Sequence, residues 1–309
     1  MSDAEVLCVG EVLWDALPEG LFLGGAPFNV ACHLRAAGVP VSMVSRVGSD
    51  RLGDEVLRRA ERYGVGVDLV QIDAELPTGF VRVRVDDAGN PGFEILEPAA
   101  WDAITITEAL LSRAAKARAI VFGTLAQRHE TSRRTVRRLW DSSATMVFDV
   151  NLRPPFEDAA IVKASLQRAD VVKLAEHELE RIGGWFGFRG TPREMMAAVA
   201  DRFECPVVCV TRGSNGAALL HDGVFTEHPG FEAEVRDTVG AGDAFLAVLL
   251  AGLLAGTPDA ALLQHANLMG AYVVTQFGAL PSDQSAATPA PLAPAERSRA
   301  RTRSRREKR

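Results

Sequence analysis

Residues 171–211 read VVKLAEHELERIGGWFGFRGTPREMMAAVADRFECPVVCVT. Two short apolar runs, Val171–Leu174 and Val207–Thr211, enclose the amphipathic helical pattern Pro192–Phe203. A strand that is apolar at nearly every position is buried on both faces. A helix between two such strands carries the chain back so that they lie parallel. Similar runs recur at Val6–Val9, Val41–Val47, Ala119–Phe122 and Thr145–Val150, with helical patterns at Gly53–Tyr63 and Thr131–Ser142. The expected class is α/β: a doubly wound, mostly parallel sheet with helices on both faces. Such sheets collect ligands at the carboxyl ends of their strands.

Two stretches depart from this rhythm. Residues 11–23 mix apolar residues with Pro18 and Gly20. Residues 78–96 alternate, Val81, Val83 and Val85 against Arg82, Arg84 and Asp86, and Asp87–Asn90 supplies turn residues. The two stretches (about 11–23 and 78–97) are expected to join in a small separate sheet, a lid over the site or an oligomer interface, two roles that are compatible.

The composition sets bounds. A chain of 309 residues with 47% hydrophobic content has ample material for a large core, and 6% aromatics offers no surface for base stacking. Cys8, Cys32, Cys205 and Cys209 lie in apolar stretches without CxxC spacing, which reads as reduced, buried thiols. No basic stretch followed by an apolar run opens the chain, and the apolar run near 244–255 is too short for a bilayer, so a cytoplasmic protein without membrane contact is expected. The folded unit is expected to end near 284. Residues 285–296 are rich in Ala, Pro, Ser and Thr, and 297–309 (RSRARTRSRREKR) carry eight basic residues against one acidic. The formal net charge is −6, so the body is more acidic than the whole. The 285–309 tail reads as disordered: a solvated appendage, or an anchor for nucleic acid or another anionic surface.

The strongest chemical signal is Asp237-Thr238-Val239-Gly240-Ala241-Gly242-Asp243, followed by the apolar helical run 244–254. Glycines let the backbone approach a ligand, and a helix N-terminus offers free N–H groups and the positive end of a dipole. An anion belongs there, including a phosphoryl group in flight. Asp243 is either an ordinary first-turn acid or a general base for a hydroxyl. In the N-terminal half, Gly24-Gly25 precede a helix carrying Asn29, which either caps it or binds hydroxyls. Asp15 is able to accept from two hydroxyls at once. Asp149, Asn151 and Arg153 alternate after a central strand and project to one side. Asp149 and Arg153 there form either a structural ion pair or part of a site.

These segments, in this order over residues 5–283, resemble the PfkB or ribokinase family of carbohydrate kinases. GEVLWD (10–15), LGGAPFNVA (23–31), LPTG (76–79) and AWD (100–102) look most like bacterial fructokinases. The resemblance implies an ATP-dependent sugar kinase acting on a primary hydroxyl, most like a fructokinase forming fructose 6-phosphate. It assigns the anion hole to Gly240, Ala241 and Gly242 and the base to Asp243. Sugar binding falls to Asp15, Gly24, Gly25, Asn29 and Arg153. Asp149 and Asn151 are placed near the phosphates and their metal. Nucleotide contacts fall to Lys173, Glu178, Thr211, Arg212, Gly213, Gly216, Gly242 and Asn267, with Gly270 and Gln276–Ala279 on the last helix and adenine-side loop. Glu178 would help to arrange hydrated Mg²⁺, and Asp237, Thr238 and Ser282 would hold a monovalent cation such as K⁺. Ala175 stands where the family usually has Asn. The implied partners are the sugar, ATP and a second copy meeting through the lid sheet. The competing readings are the same chemistry on another sugar, a sugar acid or a nucleoside, and a non-catalytic, kinase-like regulator that binds nucleic acid through its tail.

Overall fold

The computed structural model describes residues 5–17, 20–85 and 91–280. The chain runs β1 (Val6–Val9), β2 (Leu13–Leu17), β3 (Gly20–Gly24), α1 (Ala26–Ala36), β4 (Val41–Gly48), α2 (Arg51–Arg62), β5 (Val70–Asp73), β6 (Gly79–Val85) and β7 (Pro91–Ile95). It continues through α3 (Glu108–Ala114), β8 (Ala119–Gly123), α4 (Glu130–Leu139), β9 (Thr145–Asp149), α5 (Ala159–Leu166), β10 (Val171–Ala175), α6 (Glu176–Phe186), α7 (Pro192–Phe203) and β11 (Val207–Thr211). The last elements are β12 (Ala217–His221), β13 (Val224–His228), α8 (Ala241–Ala255) and α9 (Asp259–Val273).

Nine strands form the main sheet in the order β13-β12-β11-β10-β9-β8-β1-β4-β5. All pairings are parallel except β11–β12 and β12–β13, which are antiparallel. The doubly wound sheet expected from the sequence is therefore present. Alternate residues of each central strand feed two separate cores. Val6 and Cys8 of β1, Val121 of β8 and Val207 and Cys209 of β11 pack on the α1, α8 and α9 side. Leu7 and Val9, Ile120 and Phe122, and Val208 and Val210 pack on the other. A strand that fills both cores has no polar face, which is why these runs read as continuously apolar. Each fully buried Val, Leu or Phe contributes roughly 1.5–3 kcal/mol of hydrophobic stabilisation. The four cysteines are buried and free, and burial pushes the thiols of Cys8, Cys32, Cys205 and Cys209 upward.

The stretches around 11–23 and 78–96 do join in a second, four-stranded sheet of order β3-β2-β6-β7. Within it Asp15 pairs with Phe22 and Val81, and Val81 pairs with Ile95. Directly paired residues share a face, so Phe22, Asp15, Val81 and Ile95 form one cross-strand row. The turn expected at 87–90 and the tail from 285 onward lie outside the described residues. No helix among the described residues is long and apolar enough to cross a membrane.

Candidate active site

The site is built around the start of α8. Gly240 is its N-cap, with φ 78°, and the first intrahelical bond runs from Ala244 N–H to the Gly240 carbonyl at 2.9 Å. The N–H groups of Gly242 and Asp243 precede that bond and have no intrahelical acceptor, and the helix dipole adds positive potential there. The left-handed turn at Gly240 is enforced by packing as well as by φ. A Cβ on Gly240 would lie 2.5 Å from Ala279 Cα, so the 278–279 segment presses directly on the cradle.

Two cavities meet at this helix start. The first, of about 400 Å³, is roofed by the Phe22–Asp15–Val81–Ile95 row and floored by Asn29, Arg153 and Asp243. The second, of about 1260 Å³, lies between the β10–α6 and β11–β12 junctions and α9, and is lined by Thr211, Arg212, Gly213, Gly216 and Asn267 among others. Thr238 and Gly242 line both. A group held by the Gly242 amide is thus reachable from either side.

Asp243 is 8% exposed and faces the first cavity. Its Oδ2 accepts a 2.8 Å bond from Asn29 Nδ2. The bond fixes the carboxylate from α1, whose first turn is set by Gly25. That residue has φ 112°, and a Cβ there would lie 2.5 Å from the Glu11 carbonyl oxygen. Gly25 is thus required by a backbone-to-backbone approach, not only by a ligand. Gly24 lines neither cavity, and the space its side chain would fill is taken by Asp15, whose Oδ2 lies 2.8 Å from that point. Burial pushes the Asp15 carboxyl up to about 6, with Arg153 opposing and Asp237 and Asp243 adding to the rise.

Beneath the cradle lies an ion pair. The period of two places Lys173 and Asp149 on the same sheet face as α8, and the β9–β10 register sets them opposite one another. Lys173 Nζ donates to the Asp149 oxygens at 3.1 and 3.3 Å. Burial alone would lower Lys173, but Asp149, Asp243 and Glu178 outweigh it and the amine is raised. Burial pushes Asp149 up to about 6 against the pull of Lys173, so at neutral pH the pair is ionised. A buried ion pair is costly to desolvate and is no stability device by default. Here it places a positive charge at the anion site: Nζ lies 2.9 Å from where a Cβ on Gly242 would sit.

Several residues fall elsewhere than the sequence implied. Lys173 and Asn151 line the first cavity, not the second. Asp149 pairs with Lys173 and not with Arg153, because β9 ends at Asp149 and Asn151 takes φ 39°, which breaks the strand alternation. Gly278 and Ala279 also line the first cavity, whereas the sequence placed them beside adenine. Glu178 lines neither. Its Oε1 accepts from Leu152 N–H at 2.6 Å and its Oε2 from Ala175 N–H at 2.7 Å, tying α6 to the 150–153 loop. Asp237 lines neither as well; its oxygens take Val239 N–H at 3.0 Å and Gly278 N–H at 2.9 Å, while Thr238 is exposed. Ser282 lies outside the described residues. Ala175 lines the second cavity, where an Asn would have offered a polar contact.

Two residues escaped the sequence reading. His33, 7% exposed, meets the Ala279 carbonyl through Nε2 at 3.0 Å. A carbonyl only accepts, so Nε2 carries a proton, and burial lowers the ring's pKa, keeping it neutral. His33 therefore pins the segment that presses on Gly240. Glu11, 3% exposed, lines the first cavity. Its signal was a carboxylate just past the carboxyl end of a buried parallel strand, VLCVG-E.

The fold agrees with comparisons to known proteins. The profile of the pfkB family of carbohydrate kinases matches residues 19–286. A fructokinase of Salmonella typhimurium is 32% identical over 301 residues, covering 90% of this chain and 95% of its own. A solved sugar kinase of Pyrococcus horikoshii in complex with ATP superposes with TM-score 0.76 at 27% identity, covering 89% of this chain and 93% of its own. A solved fructokinase of Vibrio cholerae O395, bound to fructose, ADP and calcium, gives TM-score 0.76 at 25% identity over 90% of this chain and 95% of its own. The profile spans most of the sequence and the relatives are matched almost end to end, so this chain belongs to the pfkB family of carbohydrate kinases.

Proposed function

We propose that the chain transfers the γ-phosphoryl group of ATP to the 6-hydroxyl of D-fructose, with Asp243 as general base. The observation that carries this reading is the meeting of two cavities at the N-terminus of α8, with Asp243 on the smaller side and Gly242 shared by both. A sugar fits the 400 Å³ cavity, where carboxylates and the Arg153 guanidinium suit a polyol. ATP takes the larger one, with Thr211, Arg212, Gly213, Gly216 and Asn267 around the nucleotide. The hydroxyl lies against Asp243, which takes its proton as the oxygen attacks phosphorus. The Gly242 and Asp243 N–H groups, the α8 dipole and Lys173 meet the charge on the phosphoryl oxygens. The row on the small sheet covers the sugar and excludes water, which would otherwise compete as acceptor.

Mg²⁺ supplies charge neutralisation on the phosphates. Among the described residues no group of three or more His, Cys, Asp or Glu forms a metal cage. Asp149, whose oxygens take Lys173 Nζ, and Glu178, with both oxygens on backbone N–H groups, would act on Mg²⁺ through water. Asp237 and Thr238 would hold a monovalent cation such as K⁺, with Ser282.

Fructose is favoured over other acceptors by the fructokinase-like motifs at 10–15 and 23–31. A coupled assay of ADP release over a panel of sugars, sugar acids and nucleosides tests the reading. Fructose should give the highest kcat/KM; a better aldose, sugar acid or nucleoside would replace it, and silence across the panel would remove the kinase reading. The second sheet is also proposed as the dimer interface. Light scattering should give a dimer, and a monomer at micromolar concentration would exclude it.

A further inference from the structure

We propose that Glu11 is a second carboxylate of the acceptor site, a substrate-positioning residue whose Oε2 receives a hydroxyl of the bound sugar beside the position served by Asn29 Oδ1. This rests on the kinase reading for its ligand class but not for its geometry.

Three observations converge. First, Glu11 and Asn29 are each 3% exposed, both line the first cavity, and each holds one buried oxygen with no hydrogen-bond partner: Oε2 of Glu11 and Oδ1 of Asn29. An unpaired buried acceptor costs about 1–3 kcal/mol, more when charged, so two on one cavity wall point to a ligand that brings donors. A polyol brings donors in rows. Secondly, two neighbouring donors are already engaged. Asn29 Nδ2 is spent on Asp243, and Arg153 donates to the Leu152 carbonyl at 3.0 Å while its charge acts on both Glu11 and Asp15. Thirdly, Glu11 sits where α1 begins. The N–H groups of Glu11 and Ala26 favour its charged form, as does Arg153, while burial and Asp243 oppose it, and burial prevails, pushing the carboxyl up to about 7. A sugar hydroxyl donating to the carboxylate would favour the charged form. Sugar binding should therefore release a proton from Glu11 near neutral pH.

The role differs from that of Asp243. Asn29 orients Asp243 toward the cradle, and Asp243 takes the reacting proton. Glu11 holds a non-reacting hydroxyl, so its loss should weaken binding more than turnover.

The test uses full-length Glu11→Gln and Glu11→Asp proteins. Gln keeps one oxygen for the Ala26 N–H but replaces the second acceptor by a donor, so a purely structural role survives it. Fructose affinity is measured by calorimetry without ATP from pH 5.5 to 8.5, and kcat and KM by ADP release. In E11Q the fructose Kd and KM should rise about 10- to 100-fold, the range for a hydrogen bond to a charged group. The KM for ATP should stay unchanged and kcat should remain within about threefold. The wild-type rise in affinity between pH 6 and 8 should flatten in E11Q and persist in E11D. An E11Q protein that binds fructose as the wild type does, with the same pH profile, overturns the proposal while leaving the kinase reading intact. A wild type that binds fructose without phosphorylating it, with binding weakened in E11Q, does the reverse.

Discussion

At the residue scale, the first cavity is a collection of acids held where water would not choose to put them. Asp243 has one oxygen fixed by Asn29 and lies at the first turn of α8, so removing its basicity should leave its neighbours in place. Asp243→Asn is expected to fold normally and to lose about 10²–10⁴-fold in kcat, the usual scale for a general base. Steady-state kinetics with circular dichroism as the folding check decides it; wild-type turnover in D243N would displace the base assignment. Glu11 carries a cost that stability measurements can read. Burial pushes its carboxyl up to about 7, from an ordinary value of 4.5. Below 4.5 both states are protonated and the site costs nothing. Between 4.5 and about 7 the unfolded carboxyl ionises while the buried one stays protonated, so stability is lost over that window and stays lost above it. Chemical denaturation of wild type and E11Q at pH 5 and pH 8 should show E11Q gaining about 2–3 kcal/mol relative to the wild type at the higher pH. A difference that does not move with pH would mean that the carboxyl is not desolvated.

At the element scale, the cradle is made by three segments pressing together, and its glycines answer to different neighbours. At Gly240 both φ 78° and the Ala279 backbone exclude a side chain, whereas at Gly242 a Cβ would meet only the flexible end of Lys173. Gly240→Ala should therefore destabilise by about 2 kcal/mol or more, from left-handed strain and the forced shift of 278–279. Gly242→Ala should keep a near wild-type Tm and yet lose 10²-fold or more in kcat, because a methyl displaces Lys173 and crowds the N–H that meets the anion. Thermal melts set beside kinetics distinguish the two; equal melting losses would show that the cradle is rigid at both positions. The contrast also marks what a sequence can disclose. The glycine-rich start of α8 is legible because N–H exposure and dipole follow from helix chemistry alone. The central strands are legible because both of their faces are buried. β5 and β13 are not, since as edge strands they carry mostly half-exposed residues and no apolar run. The pairing of Lys173 with Asp149 is not legible, because it depends on the β9–β10 register, which no local pattern encodes. The path of Gly278 and Ala279 is not legible for a similar reason: the direction taken after α9 is set by His33 and Gly240, distant in sequence.

At the scale of the whole molecule, every residue lining either cavity lies between Glu11 and Ala279, and the family profile ends at 286. The charge of the basic tail opposes that of the body. Eight cations in thirteen residues would bind a polyanion with strong salt dependence, each neutralised phosphate adding about 0.7–0.9 to the slope of log K against log salt. Removing residues 285–309 makes the two functional readings separable in one protein. A chain ending at 284 should phosphorylate the acceptor with kcat and KM within about twofold of full length. Any affinity of the full-length protein for single- or double-stranded nucleic acid, read by fluorescence anisotropy at 50 and 200 mM salt, should disappear in the truncated form. Loss of sugar phosphorylation on truncation would instead make the tail part of the catalytic unit. Equal nucleic-acid binding by both forms would assign that affinity to the body, against its acidic charge.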